Sequence, residues 1–158
     1  MTSRRSFRRS ILLAAIFTLF ATLSASPARA DRCDDTAKQL TDAIDGIKVN
    51  FKAANIIYLT HAAAAEFSLG CKGDQYAVEL YAKTDRKIKP EFYNLVGSAA
   101  AVIFTLPKDD AMTGTSRCLK RMGLLRGDKI TLRYKRLDME CTRTKKDTSI
   151  VVRRGLDQ

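Results

Sequence analysis

His61 is the only histidine in a chain of 158 residues, so acid/base chemistry through an imidazole has a single candidate. With Ser68 as nucleophile and Glu66 or Glu79 to orient the ring, it would form the minimal set that activates a hydroxyl, which is the design of a small hydrolase. The other parts of familiar enzymes are missing from the sequence. It has no Gly-x-Ser-x-Gly elbow, no His-Glu-x-x-His, no Gly-x-x-x-x-Gly-Lys and no Gly-x-Gly-x-x-Gly. A histidine that ends a strand before four alanines reads more simply as a structural residue. Asp109-Asp110 reads as the start of a helix rather than as an acid/base couple. The reading is therefore non-catalytic, with no cofactor and no metal, and the His61 hydrolase is its alternative.

Four cysteines, Cys33, Cys71, Cys118 and Cys141, carry the second kind of chemistry. Their spacing contains no Cys-x-x-Cys pair and none stands beside the histidine, which argues against zinc and against a dithiol redox enzyme. An even number of cysteines in an exported chain reads as two disulfides. Three pairings satisfy the count. Cys118 shares a helical stripe with Thr115, Leu119 and Met122, and Cys141 alternates with Leu137 and Met139, so both thiols point inward. That favours Cys118 with Cys141 and leaves Cys33 with Cys71.

Charge supplies the third. The chain holds 28 Lys and Arg against 17 Asp and Glu. From Arg117 to Arg154 there are 13 bases and four acids, a net of +9, whereas the rest of the chain after residue 30 is net negative at −3. Arg117, Lys120, Arg121, Lys129, Arg133, Lys135, Arg143 and Lys145 would together make a basic face for an anionic envelope component or an acidic protein. Nucleic acid is disfavoured, because Tyr134 is the only aromatic among these bases and its alternation places it in the core. The alternative is that these cations only solvate a sheet face and protect its edges. Arg126-Gly127-Asp128 spells an adhesive tripeptide, but a Gly-Asp turn before a strand explains it without a receptor.

The address of the chain is written in residues 1–30. Arg4, Arg5, Arg8 and Arg9 precede a greasy stretch of thirteen residues at 11–23, and Ala28-Arg29-Ala30 suits signal peptidase. This predicts a cleavable export signal over 1–30 and a single domain over 31–158, located in a bacterial periplasm or secreted. A stretch of that length is too short for an anchor, and no transmembrane helix is expected in the mature chain. Ser3-Arg4-Arg5-Ser6-Phe7 resembles the twin-arginine export signal, which would imply that route. An ordinary leader rich in arginine fits the same residues, and the choice stays open.

The elements that must position these groups follow from periodicity. Apolar spacing after Asp34 and Asp35 predicts a first helix up to Gly46, followed by two short strands around residues 53–55. Phe67, Leu69 and Cys71 share one strand face, and Tyr76, Val78, Leu80 and Ala82 share another. This predicts a hairpin with Cys71 opposite Tyr76, Leu69 opposite Val78 and Phe67 opposite Leu80, and with Ser68 beside Glu79 on the outer side. Pro90 opens a helix that is apolar almost all round until Pro107, and that helix would otherwise suit a partner subunit of an envelope assembly. Asp109 or Asp110 caps the next helix, which ends near Gly123. Two strands then change phase at Lys135-Arg136, and a last strand covers 148–154. The fold class is α+β: an antiparallel sheet of five to six strands in two hairpins, packed against three helices and crosslinked by two disulfides.

Overall fold

Successive side chains of a strand point to opposite faces, so a sheet built from strands with one apolar side needs a cover on that side only. The computed structural model, which describes residues 30–72, 77–123 and 127–155, has this architecture. Its elements run α1 (Ala30–Ala43), β1 (Lys48–Ala53), β2 (Ile56–His61), β3 (Ala64–Lys72), β4 (Ala77–Asp85), α2 (Pro90–Phe104), α3 (Lys108–Arg121), β5 (Lys129–Tyr134), β6 (Leu137–Arg143) and β7 (Asp147–Arg154). The strands form one antiparallel sheet in the order β1-β2-β3-β4-β7-β6-β5. The fold is α+β as expected, with seven strands instead of five to six. Strands β1 and β2 flank residues 54–55 as expected, and all six residues of β1 are exposed.

The covered face carries Ile57, Leu59, Phe67, Leu69, Leu80, Ala82, Leu137, Met139, Cys141, Ile150 and Val152, all buried. Against it lie Phe92, Leu95, Val96, Ala99 and Ala100 of α2 and Ala111, Cys118 and Leu119 of α3. The two helices touch where α2 has Gly97. A Cβ there would sit 2.2 Å from Met112 Sδ and 3.1 Å from Met112 Cα, and the second of these is backbone that cannot step aside. Helix α2 ends at Thr105, which takes the left-handed conformation at φ 55°. Among the described residues no helix is long and apolar enough to cross a membrane.

Three local expectations are corrected. The β3–β4 hairpin pairs Cys71 with Val78, Leu69 with Leu80 and Phe67 with Ala82, two residues away from the predicted register. A slip of two keeps every side chain on its face, so the apolar pattern cannot detect it. The observed register sets Glu66 opposite Lys83, whose Nζ lies 2.6 Å from Glu66 Oε1. Tyr76, the predicted partner of Cys71, lies outside the described residues, as do Arg126 of the Arg-Gly-Asp turn and residues 1–29 of the leader. The cap of α3 is Pro107, not an aspartate; Asp109 and Asp110 stand inside the first turn, where their charges favour the helix dipole. Helix α1 is already helical at Ala30, ahead of the two aspartates expected to begin it.

Both cysteine pairs are as expected. Cys33 on α1 meets Cys71 on β3 with Cα atoms 6.2 Å apart, and Cys118 on α3 meets Cys141 on β6 at 6.0 Å. The second pair is fully buried, whereas Cys33 and Cys71 are partly exposed. A soluble thiol under native conditions should therefore open Cys33–Cys71 first, which mass spectrometry after alkylation would read. The bridge spans 38 residues. Chain entropy for a loop of that length gives about 4 kcal/mol, so the Cys33→Ser/Cys71→Ser variant should unfold at clearly lower denaturant than the parent chain.

Candidate functional site

The groups of the hydrolase reading are not brought together. His61 ends β2, and its ring packs on the turn at Gly46, where an added Cβ would lie 3.3 Å from Nε2. Its Nδ1 accepts the Ala63 N–H at 3.1 Å. It lines a recess with Ala62, Ala64, Thr84, Lys89 and Glu91 at the start of α2, on the helical side of the sheet. Ser68 lies between buried Phe67 and Leu69 and therefore points to the open side, opposite Tyr58 and Tyr81. Glu79 is opposite Gly70 rather than beside Ser68. Its carboxylate takes the Arg153 guanidinium, while Glu66 takes Lys83. The imidazole and the hydroxyl are thus separated by the sheet itself.

The eight bases expected to make one face are likewise divided by the sheet. Lys129 and Arg133 alternate with the core-facing residues of β5 and belong to the open side. There each faces an acid across the strand pair. Lys129 Nζ is 2.8 Å from Glu140, and Arg133 Nε is 3.6 Å from Asp138. Register continues this ladder, with Arg153 standing between Asp138 on β6 and Glu79 on β4. Rows of alternating sign are favourable across strands and leave little net potential on that side. Lys135 sits in the β5–β6 turn, 3.8 Å from Asp110, and Lys145 is exposed in the β6–β7 turn.

Arg117, Lys120 and Arg121 project from α3 at intervals of three and four residues, which puts them on one exposed stripe. Among the described residues none of the three has an acidic partner at ion-pair distance. Two are held by rings instead. Arg117 lies 5.0 Å above the Tyr134 ring and Lys120 lies 5.9 Å from the centre of Tyr93. Such contacts contribute about 0.5–1 kcal/mol when exposed, enough to orient a cation without neutralising it. Arg143 joins this end of the helix by donating from its guanidinium to the Met122 carbonyl at 3.3 Å. The site brings together Arg117, Lys120, Arg121 and Arg143, and leaves Lys129, Arg133, Lys135 and Lys145 elsewhere. Alternation in β5 and β6 already contained the reason, because the residues between inward Leu137, Met139 and Cys141 include two acids.

Tyr93 reports on this cluster. Burial pushes its phenol above the ordinary range, and the Arg143 cation pulls it partly back. A raised pKa means that the folded state holds the proton more tightly. The stabilisation is complete below the ordinary phenol value of about 10 and is lost as pH rises through the folded value. Arg143→Gln should therefore move the Tyr93 ring-carbon NMR titration to still higher pH, and an unchanged midpoint would show that Arg143 does not face this ring.

No protein-family model, no curated protein and no solved structure matches this chain.

Proposed function

We propose that this chain is exported from a bacterial cell, trimmed near Ala30, and works in the periplasm or outside as a non-catalytic domain that binds an anionic envelope component. The contact surface is the α3 stripe of Arg117, Lys120 and Arg121 with Arg143 at its end. One contrast carries the reading. Cations on the open sheet side face acids across the strands, whereas the three on α3 have none among the described residues. A cation without a local counter-charge attracts an external anion, and several on one convex stripe act together. Disulfides fit an oxidising compartment, and the fully buried Cys118–Cys141 bridge fixes α3 to the sheet so that the stripe is presented rigidly.

Two measurements test this. Mass spectrometry of the product recovered from outside the inner membrane should find an N-terminus at Asp31 and no free thiol; an intact Met1 with four thiols would overturn the compartment. Vesicles containing phosphatidylglycerol should bind the mature protein at low salt and release it as ionic strength rises. Each basic residue near such a surface contributes about 1 kcal/mol, so the Arg117→Gln/Lys120→Gln/Arg121→Gln variant should bind on the order of 100-fold more weakly. Lys129→Gln/Arg133→Gln should bind as the parent does. Equal loss in both variants would mean that net charge, and not this stripe, is what the vesicle senses.

A further inference from the structure

A second cationic feature lies at the other end of α3. The α2 C-terminus, the β5–β6 turn and the end of β7 enclose a cavity of about 170 Å³ lined by Phe104, Thr105, Leu106, Arg136, Leu137 and Arg154. Helix α3 separates it from Arg121 by its whole length, about 20 Å for 14 residues. Among the described residues the lining holds two guanidinium groups and no carboxylate. Phe104 and Leu137 are buried and make an apolar floor, which strengthens any charge interaction above it.

The fold fixes the Arg154 side chain and the Arg136 backbone at this cavity. Arg154 donates from Nη2 to the Phe104 carbonyl at 2.8 Å, which occupies one of its five N–H groups and holds the fork at the cavity. Arg136 follows Lys135, which takes a positive φ of 55° to make the two-residue turn. The Arg136 carbonyl is then pinned by the Gly155 N–H at 2.8 Å. Among the described residues neither arginine has an acidic partner at ion-pair distance. A helix C-terminus carries about half a negative charge, which opposes an anion. Two full positive charges outweigh it, and Arg154 already satisfies the nearest carbonyl.

We infer that this cavity is a binding site for one tetrahedral oxyanion, a phosphate or sulfate group held between Arg136 and Arg154. Planar guanidinium forks match such groups with paired hydrogen bonds. A cavity of about 170 Å³ has room for one such group. Free phosphate and the phosphate of a lipid headgroup share this chemistry. The site is distinct from the α3 stripe and does not rest on it.

The test is an NMR titration of the folded mature protein with inorganic phosphate against chloride at equal ionic strength. Saturating shifts of the Thr105, Leu106, Arg136, Leu137 and Arg154 amides are expected with phosphate and not with chloride. Arg136→Ala, whose side chain makes no hydrogen bond among the described residues, should weaken binding about tenfold or more. The triple Gln variant on α3 should bind phosphate as the parent does, so failure of the stripe proposal leaves this one standing. A response of the same amides to phosphatidylglycerol vesicles but not to free phosphate would assign the group to a lipid. Silence of these amides in both arms, or an Arg136→Ala titration equal to the parent's, would overturn the proposal.

Discussion

One-sided burial is the constraint on which the rest of the structure depends. Strands β2 to β7 put their buried residues on a single face, and among the described residues α1, α2 and α3 supply the cover. The helices cannot be shared with the other side, so that side must be stable in water by itself. It manages this with cross-strand pairs, Glu66 with Lys83, Glu79 with Arg153, Asp138 with Arg133 and Glu140 with Lys129. Each exposed pair is worth little alone. Their collective effect is to balance charge on that side.

That redistribution changes how composition relates to surface. A segment with a net charge of +9 does not make a face of that charge, because a β-hairpin sends alternate residues to opposite sides. The same argument separates His61 from Ser68, which are on different sides of a continuous sheet. Electrostatic character here is a property of which side a residue faces, and only secondarily of how many bases its segment contains.

Much of this was legible in the sequence. The inward phase of Cys118 and Cys141 identified the correct disulfides, and the phase change at Lys135-Arg136 located a real two-residue turn. Pro90 and Pro107 bounded α2. What stayed hidden has physical causes. The β3–β4 register differed by two residues, because a pattern of period two is unchanged by an even slip. The cavity at Arg136 and Arg154 joins residues from three elements, and no local spacing brings a helix end beside a hairpin turn.

The strand order has a kinetic meaning. Strands β1 to β4 form from neighbours in the chain, and β5 and β6 likewise, yet the seam between these halves is β4 against β7, which pairs Asp85 with Asp147. Loop closure over that span precedes any gain from pairing, and topologies dominated by such distant contacts fold slowly. During synthesis the edge of β4 therefore waits, unpaired, while two helices and two strands are made. Because β7 is made after the six other strands and lies between β4 and β6, it joins both halves at once, and a chain cut short before it would hold two partial sheets with no common border.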